Sequence, residues 1–276
     1  MAVVADEAGF ARMRGYRSFR FTDHPEYLRH VEAHLRALTA HGGHTGVVLL
    51  DPGDYADYCA EFRLDPDSAE SRARYTAETA HRGAAVRYRG QRIGRLIPGL
   101  LAEHDRQLAW ESASAELAGA GLCAGCGRSR AVCLFDHATR VLTAAVGSAG
   151  PGLHHAVCTV LHGEEPLTAA LHAEVPEEGA PLVPDRHALV FCTVLAAGLA
   201  SSAAGGLVLR SGPVPGTGPG RETVRGWSLT RGRLRALSEA EVFAAYCTDP
   251  QTGEPVPPEA GVVHRPGTGL PPYPCG

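Results

Sequence analysis

The sequence of 276 residues contains no lysine and no asparagine, so its 26 basic side chains are all arginine. Phosphate-binding loops that end in G-K-[ST], protein kinases and pyridoxal phosphate enzymes each need a lysine. An asparagine is needed for N-glycosylation and for a Cys-His-Asn protease triad. The chain therefore cannot itself supply these chemistries.

Isoleucine is also scarce, since it occurs only at Ile93 and Ile97. Lysine, asparagine and isoleucine all have A/T-rich codons, so their scarcity predicts a GC-rich and bacterial genome. The net charge of −4 gives no general basis for binding nucleic acid, because duplex binding depends on a cationic surface. The exception is the basic N-terminal segment, RMRGYRSFRF. It is interpreted as an edge strand with outward arginines, and an anion-contact site is the alternative. Its arginines are Arg12, Arg14, Arg17 and Arg20.

Signals for export and for membrane insertion are weak. The first ten residues have neither a basic region nor an apolar core of the signal-peptide kind. Residues 188–209 carry no charge and approach spanning length, but serines and glycines interrupt their second half. That pattern predicts a buried helix followed by a short strand. We therefore expect a cytoplasmic protein that does not contact a membrane.

Alternating strand and helix patterns predict an α/β fold with a layered sheet and helices, and a mixed α+β arrangement is possible in the C-terminal half. The Cys-rich, zinc-knuckle-like stretch is expected as an insertion in the middle. The helix after Asp23 and the helix after Ser238 carry complete start signals. The predicted domains are an α/β domain at 1–120, a mixed α/β domain at 121–248 and a Pro-rich tail at 249–276.

The most informative stretch is CAGCGRSRAVCLFDH. Cys123, Cys126 and Gly127 resemble the knuckle of zinc ribbons, in which a tight turn directs backbone amides at the thiolates. Cys133 and His137 complete a tetrahedral set of three cysteines and one histidine, which zinc accepts. The usual second CxxC of a ribbon is absent, which leaves the fourth ligand open among His137, His154, His155 and Cys158.

Two other interpretations of these cysteines remain. A redox pair requires CxxC at a helix start directly after a strand, and a helix precedes this one instead. The cysteines can also be buried free thiols that behave as small hydrophobic side chains. That second interpretation fits the cysteines within apolar runs, namely Cys59, Cys158, Cys192 and Cys247.

Histidines offer a second and weaker kind of site. His30 and His34 lie one turn apart on a predicted helix, but the glutamate that zinc proteases place after the first histidine is absent. His172 and Glu174 form the H-x-E pattern of zinc deaminases, although the cysteine pair lies upstream of it rather than downstream. These four residues are the suspects for a metal-dependent hydrolase or deaminase-like enzyme.

No set of nucleophile, base and orienting group assembles from the sequence. We therefore expect a regulatory or protein-interaction protein with a structural zinc site and with another protein as its partner. The competing hypothesis is the metal-dependent hydrolase.

Overall fold

A computed structural model describes residues 1–40, 45–163, 165–178, 181–201, 203–214, 220–249 and 252–275. The chain divides into two compact units, Met1–Leu108 and Ala109–Gly276. Both units combine helices with a β-sheet, which confirms the predicted α/β class. The proline-rich C-terminal residues are grouped with the second unit rather than forming a unit of their own.

The first unit has a three-stranded sheet, in which β1 (Ala2–Val3), β2 (Gly46–Leu49) and β3 (Val86–Arg87) lie in that order. β1 and β2 pair in parallel, whereas β2 and β3 are antiparallel. Buried valines of the sheet and aromatic side chains of the helices make up its core. Its elements are β1 (Ala2–Val3), α1 (Glu7–Met13), α2 (His24–Ala40), β2 (Gly46–Leu49), α3 (Pro52–Phe62), α4 (Ala69–His81), β3 (Val86–Arg87) and α5 (Ile93–Ala118), whose last residues belong to the second unit.

The edge strand predicted for the basic N-terminal segment is wrong. Arg12 lies in α1, and the chain then turns, with the Tyr16 amide donating to Met13 O and the Phe19 amide donating to Tyr16 O. The rings of Phe19 and Phe21 both pack against Tyr27 instead of alternating between two faces. Packing of these partly buried rings on Tyr27 therefore sets the path of the segment, and the alternation of arginine with apolar residues is not a strand signal here.

The two predicted helix starts are confirmed. The Asp23 carboxylate accepts a hydrogen bond from the Glu26 amide at 2.6 Å, just ahead of α2. Ser238 and Glu241 form a reciprocal capping box at the start of the last helix. Such side chains satisfy amides that have no partner within the helix, which is why these boundaries are readable in the sequence.

The elements of the second unit, after the end of α5, are α6 (Arg130–Gly147), β4 (Gly152–His162), β5 (Glu165–Val175), α7 (Asp185–Ala200), β6 (Gly205–Gly212), β7 (Glu222–Thr230), β8 (Arg233–Ala236), α8 (Glu239–Tyr246) and β9 (Val262–His264). Its six-stranded sheet has the order β5-β4-β6-β7-β8, and β9 pairs with β7 in parallel.

Burial alternates along the strands of this sheet. Ala156, Cys158 and Val160 of β4 are buried, whereas the residues between them are partly exposed. The buried side chains of α6 and α7 belong to the same hydrophobic cluster as these β4 residues. The uncharged stretch at 188–209 forms most of α7 and part of β6. Among the described residues, no helix has the length and hydropathy of a membrane span.

The C-terminal segment is held to the second unit by specific hydrogen bonds. The Arg265 amide donates to Val224 O at 2.9 Å, next to the pairing of β9 with β7. The Trp227 indole donates to Thr268 O at 2.8 Å, and Leu270 packs against the hydrophobic cluster. The segment therefore follows a defined path to its last residues although it is rich in proline.

Candidate metal centre

The CxxCG stretch folds as a knuckle. The Cys123 amide donates to Arg128 O at 2.8 Å, and the Gly127 amide donates back to Cys123 O at 2.8 Å. Gly127 has a φ of +72°, a conformation that costs a residue with a side chain more than it costs glycine. The glycine after the second cysteine is therefore required by the turn, as the zinc-knuckle resemblance implies.

The third cysteine comes from the start of α6. Cys133 lies in its first turn, where its amide donates to Ser129 O at 3.2 Å. Its sulfur is 3.4 Å from that of Cys126. The knuckle and the helix start thus bring three sulfurs together within a short piece of chain.

The fourth sulfur belongs to Cys275 in the C-terminal segment. The Sγ atoms of Cys123, Cys126, Cys133 and Cys275 all lie within 4.8 Å of one another. A Cβ atom at Gly125 would lie 2.6 Å from Cys275 O, so only glycine permits this close approach. We call these four residues the four-cysteine cluster.

Tyr273 connects the C-terminal segment to the knuckle. Its hydroxyl lies 3.5 Å from Cys123 Sγ, and its ring packs against His137 edge to face, with centroids 5.4 Å apart. Tyr273 also contacts the hydrophobic cluster of the second unit. The Tyr273 side chain therefore holds the C-terminal segment beside Cys123.

Hydrogen bonds give the sulfurs unequal acidities. Donation from the Tyr273 hydroxyl, followed by the amides of Cys126 and Gly125, lowers the pKa of Cys123 to about 6. A hydrogen bond with Cys126 and partial burial raise the pKa of Cys133 and that of Cys275, the latter to about 12. Cys123 is thus favoured as a thiolate, whereas ionisation of the neighbouring Cys133 and Cys275 is disfavoured. A bound cation would favour ionisation of all of them, because it stabilises every thiolate around it.

The four-cysteine cluster is partly accessible. Cys123 and Cys133 are buried, Cys275 is of intermediate exposure and Cys126 is exposed. Four sulfurs at this separation form a set of ligands that suits a tetrahedral metal ion. The predicted metal site is therefore supported as a possible cysteine metal site, with a different fourth residue.

His137, the predicted fourth ligand, is not among the clustered residues. It is 5% exposed, and its Nδ1 has no hydrogen-bond partner among the described residues. Burial, together with the charge of Arg140, lowers the pKa of His137. His137 lies one turn after Cys133 on α6, and its ring packs against that of Tyr273. The fourth sulfur comes instead from Cys275, which is distant in the sequence.

The alternative fourth ligands lie on β4 and are also outside the four-cysteine cluster. His154 is buried, with Nδ1 2.9 Å from Ser211 Oγ and Nε2 2.9 Å from Gly150 O. The His155 ring stacks on that of His172 at 4.2 Å. Cys158 is fully buried, and this burial raises its pKa to about 12. Each of these side chains therefore has a local structural role.

The hydrolase suspects do not form a cluster of metal ligands in the parts of the chain that the structure describes. His30 and His34 are exposed on α2 in the first unit. His172 and Glu174 are exposed on β5 in the second unit.

Sequence reasoning missed Cys275 and Tyr273. One signal was available, because Cys275 stands in the segment PPYPCG rather than in an apolar run. The cysteines of apolar runs at 59, 158, 192 and 247 are buried, as expected for small hydrophobic side chains. A cysteine in a polar or Pro-rich segment is thus the better candidate for a ligand.

The match that the comparisons with known proteins found lies within the first unit. A family model described as a domain of unknown function (DUF8829) matches residues 1–91. No curated protein and no solved structure matches the chain. The four-cysteine cluster lies outside the matched residues, so its interpretation depends on its own geometry.

Proposed function

We propose that the four-cysteine cluster binds one zinc ion in a structural role, and that the chain is a regulatory or protein-interaction protein of the bacterial cytoplasm. The observation that carries the proposal is the arrangement of four cysteine sulfurs within 4.8 Å of one another.

A structural role is favoured over a catalytic one by the number of ligands. Catalytic zinc sites have three protein ligands and leave the fourth position to water or substrate, whereas structural sites are closed by four. Here the C-terminal segment supplies the fourth sulfur. The ion would join the knuckle, the start of α6 and the C-terminal segment, and it would stabilise the second unit.

Zinc is favoured by the chemistry of the donors. Four soft sulfur ligands in a tetrahedral set select zinc or iron over magnesium and calcium. The amides of Cys126 and Gly125 that donate to Cys123 stabilise a thiolate in either case. The optical spectrum distinguishes the two metals, because a tetrathiolate iron centre absorbs visible light and a zinc centre does not.

The interaction role is favoured because the four-cysteine cluster, with a metal bound, would not be catalytic. A closed shell of four sulfurs has no open position for chemistry, so the metal would serve the fold. All eight cysteines of the chain are free, which suits a reducing cytoplasm. We therefore expect the protein to act by binding another protein.

The experiment is metal analysis by native mass spectrometry of protein purified under reducing conditions. We expect one zinc ion per chain in the wild type, in His137→Gln and in the control Cys247→Ser, whose cysteine is buried outside the four-cysteine cluster. Cys275→Ser should lose the ion or bind it far more weakly. Zinc that survives Cys275→Ser but not His137→Gln would contradict the assignment, as would a wild-type protein without metal.

A further inference from the structure

Solvent access differs among the residues of the four-cysteine cluster. Cys126 is exposed, whereas the other three are buried or of intermediate exposure. A cysteine that binds a metal is a thiolate, and a thiolate in contact with solvent is the form of cysteine that peroxides oxidise. A dissolved oxidant therefore meets the sulfur of Cys126 before it meets the other three.

A second sulfur lies beside that of Cys126. The Sγ atoms of Cys126 and Cys133 are 3.4 Å apart. A disulfide bond is about 2.05 Å long, so a movement of less than about 1.5 Å joins the two atoms. Cys126 belongs to the knuckle and Cys133 to the first turn of α6, which follows the knuckle directly. This movement can therefore occur within one short piece of chain, without displacing the C-terminal segment.

We propose that the four-cysteine cluster is a redox switch, in which a peroxide joins Cys126 to Cys133 as a disulfide and thereby releases the metal ion. The inference rests on the proposed function, because it concerns the regulation of the same zinc site. A cluster with four buried sulfurs would not offer an oxidant this first contact. Because thiols reduce disulfides by exchange, the switch is reversible.

The reaction balances with hydrogen peroxide as the oxidant. The Cys126 thiolate attacks one peroxide oxygen, the O–O bond breaks and hydroxide leaves, which gives a sulfenic acid. The Cys133 thiolate then attacks the sulfur of that sulfenic acid, the S–S bond forms, the S–O bond breaks and a second hydroxide leaves. Two thiolates have then given two electrons to one peroxide molecule, and two protons from solvent convert the hydroxides to water.

The disulfide would open the metal site. Its two sulfurs are no longer thiolates, and the thiolate is the form in which cysteine binds a metal. Cys123 and Cys275 alone do not complete a tetrahedral shell, so the ion would leave. At the end of the C-terminal segment, the packing of Tyr273 and its hydroxyl beside Cys123 would remain. Oxidation should therefore weaken the attachment of this end and change the surface around the knuckle.

The test is treatment of the zinc-loaded wild-type protein with hydrogen peroxide, quenched at intervals with catalase. A chromogenic chelator measures the released zinc, and peptide mass spectrometry after alkylation maps the disulfides. We expect one zinc ion to be released for each disulfide formed, with the linked peptides joining position 126 to position 133. Zinc that stays bound, or a different linkage, would overturn the switch and leave the structural site standing. A wild type purified without zinc would overturn both.

Histidine substitutions separate the exposed cysteine from the others, because histidine binds zinc but forms no disulfide. Cys126→His should keep its zinc over the time in which peroxide empties the wild type. Cys275→His retains the Cys126–Cys133 pair, so peroxide should still release its zinc. Equal zinc loss from both variants would contradict the proposal. If Cys126→His does not bind zinc, the linkage map of the wild type decides.

Discussion

Cys123 and Cys158 are both buried in the second unit, but their surroundings shift their acidities in opposite directions. Donors at the knuckle, led by the Tyr273 hydroxyl, lower the pKa of Cys123 to about 6. Burial in the apolar core, with a smaller contribution from Cys192, raises the pKa of Cys158 to about 12. Burial alone therefore does not distinguish the two kinds of cysteine. Cys123 has three other sulfurs within 4.8 Å of its own, whereas Cys158 is not part of that cluster.

The largest difference between the two regions should follow removal of the metal. Structural zinc contributes directly to folding free energy. Chelation should therefore lower the free energy of unfolding by several kcal/mol and the Tm by about 10 °C. In hydrogen exchange, amides of the knuckle and of residues 262–275 should lose protection, whereas those of β4 around Cys158 should keep it. Equal loss of protection in both regions would show that the effect of the metal is not local.

A substitution at Gly125 should weaken the four-cysteine cluster without changing any ligand. In Gly125→Ala the new Cβ would meet Cys275 O at 2.6 Å, so the C-terminal segment must shift. We expect the free energy of unfolding to fall by about 1–3 kcal/mol, the usual range for overpacking. Zinc should also bind more weakly in a competition titration with a chelator. Gly147→Ala is the matched control, since nothing lies within 4 Å of its added Cβ. Equal effects of the two variants would contradict the close approach of Cys275.

Removal of the tyrosine hydroxyl should have a smaller effect on the same region. Tyr273→Phe keeps the ring against His137 but loses the group 3.5 Å from Cys123 Sγ. Loss of a hydrogen bond to a metal ligand typically lowers the metal affinity by about 10–100-fold, and we expect a decrease of about 10-fold in zinc affinity here. The readout is the same chelator titration, with Tyr246→Phe as a control outside the cluster. An unchanged affinity would mean that the hydroxyl does not support the thiolate.

The smallest effect is expected at Cys158. Cys158→Ala removes one buried sulfur atom, and we expect a cost of about 1 kcal/mol in thermal or urea unfolding with no change in zinc content. The high pKa and full burial of this thiol should also make it resist alkylation in the native protein. A loss of zinc on this substitution would remove the distinction between the two kinds of cysteine.

Local features of this fold and site were predictable from the sequence. The caps at Asp23 and Ser238 and the glycine of the knuckle at Gly127 depend on residues within one turn of each other. Cys133 was predictable as well, because the start of α6 follows the knuckle directly. In each case the interacting residues are also neighbours in the sequence.

Features that depend on distant chain segments were not predictable. Cys275 reaches the knuckle only because the C-terminal segment is held along β7 and at Trp227, and no local pattern encodes that path. The two-residue strand β1 is too short for a periodic signal. In the basic segment, the alternation of apolar and basic residues predicts a strand that the structure does not contain. The order of the strands likewise follows from packing rather than from spacing.

Ligation of zinc by four sulfurs is tested most directly by X-ray absorption at the zinc K-edge on the purified wild-type protein. We expect a single shell of four sulfur atoms at about 2.3 Å and no nitrogen or oxygen ligand. Three sulfurs with one nitrogen at about 2.0–2.1 Å would contradict it, because a histidine would then take the place of Cys275.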